Sequence, residues 1–188
     1  RVGSWAKVLS AHMKELDLQP QQLGICLVDE PGKDEQDAII AAWAKAIKAT
    51  TPELTLFEDP AAARLGENKN QDSITPIDII CPTLPAYINS GLALQKYFQQ
   101  LQAQGKQQWF YQCTGPVRLY DPQLYYRYQA WHAFANGATG EGFWSFSDTS
   151  KAPSSFSEYG TGRINYAPVF FDGDTVYDSV HWDAVRDG

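Results

Sequence analysis

Leu23-Gly24-Ile25-Cys26-Leu27-Val28-Asp29-Glu30-Pro31 is an apolar run of strand length that ends in two adjacent carboxylates and a proline. Pro31 disfavours helix at Glu30, so the strand is expected to open into a loop there. In parallel α/β proteins, active sites are built at the C-terminal ends of the strands. A buried strand that delivers Asp29 and Glu30 to such an end is the first candidate for chemistry. Loop carboxylates are common, and an ordinary solvated strand exit can look the same. The weight therefore falls on the rest of the chain.

Outward from this stretch, helices and strands alternate. Ser4 to about Leu18 reads as an amphipathic helix capped by Ser4, with Trp5, Val8, Leu9, His12, Met13 and Leu16 at helical spacing. His12 is expected at the core or its boundary. A second helix begins at Asp34, places Ala38, Ile39, Ala42, Trp43, Ala46 and Ile47 on one face, and stops at Thr51-Pro52. Leu54–Phe57 is a second strand, and it also runs into acid: Glu58-Asp59-Pro60. Glu58 and Asp59 hold a site-like position and are expected at its rim, with Glu58 a candidate substrate contact. Ala61–Thr75 is polar, a loop or short helix.

Ile77–Pro82 reads as a third strand, and Tyr87–Gln104 as a helix ended by Gly105 at C′. Gln108–Cys113 is a fourth strand, Pro122–Ala135 a helix rich in Tyr and Trp, and Gly142–Asp148 a fifth strand. The remainder is rich in Gly, Ser and Pro and ends in Val180–Arg186. Strands at intervals of about 25 to 35 residues, separated by helices, have the rhythm of βα units in a parallel sheet. No glycine-rich phosphate loop follows any strand, so a nucleotide-binding sheet has little support. We expect α/β architecture, the C-terminal part of a (β/α)8 barrel carrying about strands 4 to 8. Residues 1–188 form one partial catalytic domain in this reading, a piece of a longer chain.

A net charge of −7 argues against nucleic acid as a main partner. No run is long and apolar enough to span a membrane. Cys26, Cys81 and Cys113 lack the spacing of a zinc site or a disulfide framework and are expected as buried free thiols. No metal or cofactor is expected.

The strand ending Val28-Asp29-Glu30-Pro31 resembles the catalytic strand of glycoside hydrolase family 123, the N-acetylgalactosaminidases. The run from Trp109-Phe110-Tyr111 through Arg127, Trp131, Gly137, Gly140 and Phe143-Trp144 to Val185-Arg186-Asp187-Gly188 resembles the C-terminal barrel segment of that family and its uncharacterised relatives. Together these cover most of the chain. Ser179–Asp183 departs from the pattern, lacking the arginine and glutamate expected there.

The resemblance implies a glycan substrate, a secreted or periplasmic location, and hydrolysis of β-linked N-acetylhexosaminides. Substrate-assisted glycosidases use the 2-acetamido group of the sugar instead of a protein nucleophile. Glu30 would then be the acid/base, and Asp29 the residue that orients and stabilises the acetamide. Adjacent carboxylates repel, so one is expected to hold its proton more strongly. On the fourth strand, alternation puts Trp109 and Tyr111 on one face and Phe110 on the other. That strand carries no carboxylate at its C-terminal end. Tyr111 is either a hydrogen-bond donor to the acetamide oxygen or barrel filling. Trp144 walls the sugar pocket or packs the barrel. Asp148 binds sugar hydroxyls or forms a turn, and Arg127, in a helix among tyrosines, is expected to be structural. A retaining enzyme with a protein nucleophile such as Glu58, and a glycan-binding barrel without catalysis, are the competing readings.

Overall fold

The computed structural model describes residues 1–61, 64–66, 70–148, 154–156 and 165–188. Along the chain run α1 (Val2–Glu15), β1 (Gly24–Cys26), α2 (Asp34–Lys48), β2 (Thr55–Glu58), α3 (Gln71–Ile74), β3 (Ile79–Ile80), α4 (Leu84–Asn89), α5 (Gly91–Ala103) and β4 (Gln107–Gln112). They are followed by α6 (Tyr128–Ala135), β5 (Gly140–Phe143), β6 (Phe170–Asp172), β7 (Thr175–Tyr177) and α7 (Val180–Arg186). Strands β1 to β5 form one sheet in chain order, and every pairing is parallel. Sequential parallel strands joined by helical crossovers are the arrangement of part of a (β/α)8 barrel, as the sequence rhythm predicted.

The chain divides into two compact units, Arg1–Gln108 and Trp109–Gly188, with β4 beginning in the first and continuing in the second. In the first unit, Leu54 just before β2, Leu56, Ile79 and Ile80 of the strands, and Ile40, Ala44, Ile47, Leu84, Phe98 and Leu101 of the helices are all buried. Burying one such aliphatic or aromatic side chain contributes about 1.5–3 kcal/mol, which makes these residues the main stabilising element of the unit. The N-terminal ends of β2 and β3 are held by lysines. Lys48 Nζ donates to Asp78 Oδ2 at 2.6 Å and to the Leu54 carbonyl at 2.8 Å, and Asp78 Oδ2 accepts the Leu56 N–H at 2.7 Å. Lys106 Nζ donates to the Ile77 carbonyl at 2.6 Å.

Several local expectations are corrected. α1 starts at Val2, so Ser4 is inside the helix rather than its cap. Its buried face is Ala6, Ser10 and Met13, while Trp5, Val8, Leu16 and His12 are exposed. His12 is no core residue: it pairs with Glu15 at 3.4 Å on the surface. α2 has the expected span but buries Asp37, Ile40, Ala44 and Ile47, leaving Ile39 and Trp43 exposed. The cause is close packing of small residues. A Cβ on Gly3 would stand 2.9 Å from Thr50 Cγ2, so the two helices approach through their smallest side chains. The displaced aromatics Trp5 and Trp43, with Ile25 and Cys26, line a cavity of about 350 Å³ beside β1. β1 is therefore a half-exposed edge rather than a buried strand, and Cys26 is exposed. Cys81 is buried and Cys113 half-buried, all three being free thiols. The expected Tyr87–Gln104 helix is two helices, broken at Ser90-Gly91, where Gly91 has φ +76°. Parts of the polar Ala61–Thr75 stretch and of the Gly, Ser and Pro-rich remainder lie outside the described residues.

In the second unit, Val117, Tyr125, Tyr126 and Ala184 form a buried cluster, with Phe143, Tyr166 and Val185 packed against it. The expected Pro122–Ala135 helix opens with a π-helical turn, Gln123–Arg127. Here Arg127 lies over the Trp131 ring and donates to Gln123 Oε1 at 3.2 Å. The antiparallel pair β6–β7 was not anticipated. Arg118 anchors it, donating to the Val169 carbonyl at 2.6 Å while stacked over Phe170. The fifth strand is shorter and earlier than expected, so Trp144 lies just past its end.

Candidate active site

Parallel pairing of β1 with β2 aligns Cys26 with Phe57, which carries the carboxylates that follow each strand to the same edge of the sheet. Asp29 and Glu30 are exposed there. Glu58 and Asp59 lie beneath them at 1 % and 8 % exposure, below the surface rather than at the rim. Pro31 and Pro60 are both buried. β2 ends at Glu58, just before Pro60, whereas β1 already ends at Cys26, short of the expected run to Val28.

The two layers are bonded to each other. Glu58 Oε1 accepts the Leu27 N–H at 3.2 Å. Asp59 Oδ1 accepts the Glu30 N–H at 3.0 Å, and the charge of the nearby Asp29 carboxylate acts on the Asp59 carboxyl. Cys26 Sγ points the same way, 3.9 Å from Asp59 Oδ1 and 3.5 Å from the Val28 carbonyl. Glu30 has φ +44°, a left-handed conformation that costs a residue with a Cβ roughly 1–2 kcal/mol.

Burial and crowding of like charge decide the protonation of the lower layer. Desolvation lifts the Glu58 carboxyl to about 8, helped by the charge of Asp59 and opposed by hydrogen bonds from the main chain. Glu58 Oε2 is buried without a hydrogen-bond partner, as suits a carboxyl that keeps its proton. Desolvation and then the Asp29 charge raise Asp59, against the pull of the Glu30 N–H. The Cys26 thiol is pushed to about 12 by desolvation and the charges of Glu58, Asp59 and Asp29, so it is no nucleophile at neutral pH. Cys26, Glu58 and Asp59 each offer a ligand atom within 4.8 Å of one another and could hold a metal ion. Both carboxylates already accept main-chain N–H groups, however. The sequence pointed to these acids through the repeated carboxylate-proline strand exits. It gave no sign that the second pair supports the first.

The remaining candidates lie in the second unit. Along β4, Trp109 and Tyr111 are half-buried on one face, while Phe110 and Gln112 are buried on the other, as alternation predicted. Trp109 lies against Gly140 of β5 and donates from Nε1 to Thr139 Oγ1 at 3.2 Å. Trp144 is 57 % exposed, and its Nε1 donates to Asp148 Oδ2 at 3.1 Å. More than half of the residue is thus exposed, which barrel filling would not require.

No protein-family model matches the chain, and none of the curated proteins matches it. Among solved structures, the exo-beta-1,4-mannosidase Op5Man5 from Opitutaceae bacterium strain TAV5 superposes with a TM-score of 0.59 at 17 % identity. That likeness covers 99 % of this chain and 39 % of the mannosidase, so the chain spans well under half of that protein's length. A glycosyl hydrolase family 2 member from Bacteroides cellulosilyticus DSM 14838 is similar at a TM-score of 0.44 and 11 % identity, over 76 % of this chain and 18 % of the other. The first of these likenesses shows a shared fold: the strand and helix arrangement seen here is one that a glycosidase uses. Among the described residues, no helix is long and apolar enough to cross a membrane.

Proposed function

We propose that this chain carries the catalytic carboxylates of a glycoside hydrolase that cleaves β-linked N-acetylhexosaminides, with N-acetylgalactosamine as the sugar. The observation that supports this most is the Asp29–Glu30 pair itself, exposed at a C-terminal strand edge and braced from below by Asp59. In this reading Glu30 protonates the leaving oxygen as the acetamide oxygen attacks the anomeric carbon. Asp29 accepts a hydrogen bond from the acetamide N–H and stabilises the positive charge that grows on the oxazolinium ring. Glu30, now a carboxylate, then removes a proton from water, which opens the ring with net retention. The mannosidase fold supports a glycosidase, and the resemblance to family 123 supports the acetamido sugar and an exported enzyme. Trp109, Tyr111 and Trp144, with Asp148, are the proposed sugar contacts, their rings suited to the apolar faces of a pyranose.

Glu58 is a poor choice for a protein nucleophile, because it is buried and raised to about 8. The chain also places no carboxylate between Trp109 and Tyr120. The test is a panel of chromogenic β-glycosides, with and without a 2-acetamido group, on the full-length protein. Hydrolysis confined to the acetamido series is the expected result. Trapping of a covalent glycosyl-enzyme by a 2-fluoro sugar would overturn it. Binding of glycans without cleavage of either series would replace it with a non-catalytic role.

A further inference from the structure

We infer that Asp59 is the positioning residue for the Asp29–Glu30 pair, a buried carboxyl group that fixes the main chain of the acid/base. This rests on the catalytic reading given above. Asp59 stands at the end of β2, 29 residues from Glu30 in sequence, and its Oδ1 takes the Glu30 N–H at 3.0 Å. Glu30 needs such an anchor, because its φ of +44° is a conformation that its own Cβ disfavours. Fixing the Glu30 main chain also fixes where the adjoining Asp29 begins, and a substrate-assisted site needs Asp29 in line with the acetamide.

Asp59 is itself held in place. It is 8 % exposed, and the side chains charged or titratable around it are Asp29, Glu58, Cys26 and Cys81. None of these is a cation, so attraction to a cationic side chain among them does not keep Asp59 here. Its bond from the Glu30 N–H gives it a function at this spot. Buried polar groups that tie two segments together in this way act through geometry, and geometry can be preserved by an isostere.

Asp59→Asn supplies the test. The amide oxygen can still accept the Glu30 N–H. Asp59→Ala removes that acceptor. In the full-length protein, Asp59→Asn should retain most of the wild-type kcat on 2-acetamido glycosides. Asp59→Ala should lose on the order of 10²-fold in kcat with little change in KM, the effect expected from a misplaced catalytic group. Amide hydrogen exchange at Glu30 gives a second readout that does not depend on catalysis or on the Ala variant alone. Protection should persist in wild type and Asp59→Asn and be lost in Asp59→Ala, or in Asp59→Ser should the Ala variant fail to fold. An Asn variant as impaired as the Ala variant would overturn the positioning role, as would a Glu30 amide unprotected in wild type. A wild-type protein with a protected Glu30 amide that cleaves no glycoside would instead overturn the function proposed above.

Discussion

Glu58 Oε1 accepts the Leu27 N–H at 3.2 Å, and through that bond a buried carboxyl closes the open end of the β1 edge strand. Burial raises this group to about 8. The folded state therefore binds a proton that the unfolded chain, with an ordinary glutamate, releases from about pH 4.5 upward. Between these values the native state holds more protons than the unfolded one, so stability falls as pH rises and levels off above about 8. The slope from this one group is at most ~1.4 kcal/mol per pH unit. Glu58→Gln keeps an acceptor for Leu27 and removes the titration. Denaturant melts should show the variant close to wild type at pH 5 and more stable than wild type at pH 8.5. Parallel pH profiles for the two proteins would show that Glu58 does not titrate in this window.

Gly140 and Trp109 make a contact that leaves no room for a side chain. A Cβ on Gly140 would stand 2.5 Å from Trp109 Cε2. Gly140→Ala should cost ~1–3 kcal/mol, the usual range for overpacking. It should also shift the Trp109 fluorescence as the indole leaves Thr139. Trp109→Phe in the same chain should recover part of the loss, since the smaller ring vacates the space. A melting temperature unchanged by Gly140→Ala would show that the indole moves aside freely.

Asp148 Oδ2 accepts the Trp144 Nε1–H at 3.1 Å, and Trp144 is 57 % exposed. Asp148→Ala should free the ring and raise KM for glycosides with little effect on kcat. Asp148→Asn, which keeps an acceptor, should behave nearly as wild type. Titration with product sugar, followed by tryptophan fluorescence, checks this. Equal KM values for Asp148→Ala and wild type would remove Trp144 orientation from sugar binding.

The sequence made the order of strands legible because apolar runs and carboxylate-proline exits are local signals. The alternation of Gln108, Phe110 and Gln112 against Trp109 and Tyr111 was readable for the same reason. Helix faces were misread where size outweighed hydrophobicity. Trp5 and Trp43 dominated the periodicity of α1 and α2, yet Gly3, Ala6 and Ser10 let the helices meet and left the large rings outside. The candidate acids Asp29 and Glu30 could be picked from their strand exit. The support from Asp59 could not, because its partner is a main-chain N–H 29 positions earlier. Nothing in the local pattern of Glu58-Asp59-Pro60 separates a buried brace from a solvated turn.

Glu30 as acid/base predicts a dependence on the leaving group. Glu30→Gln should lose on the order of 10²–10⁴ in rate for poor leaving groups, which need full protonation. The loss in the first step should shrink for nitrophenyl glycosides, whose oxygen departs as an anion. A rate series across aryl leaving groups measures this. Equal losses along the series would assign Glu30 to binding or to structure.

Asp29 carries the prediction that separates a sugar-supplied nucleophile from every other mechanism. The positive charge of the cyclic intermediate lies on the ring nitrogen, and the Asp29 carboxylate is the group proposed to face it. A thiazoline that mimics the intermediate should bind the wild-type protein much more tightly than the product sugar does, because a site built for the transition state favours its mimics. Asp29→Asn should retain the fold, since Asp29 is exposed, and should lose most of that preference. Product-sugar affinity should change little, because the product bears no charge there. Calorimetric titration of both ligands against both proteins reads the difference directly. Should the thiazoline bind Asp29→Asn as tightly as wild type, the charge is stabilised elsewhere and Asp29 has a different role.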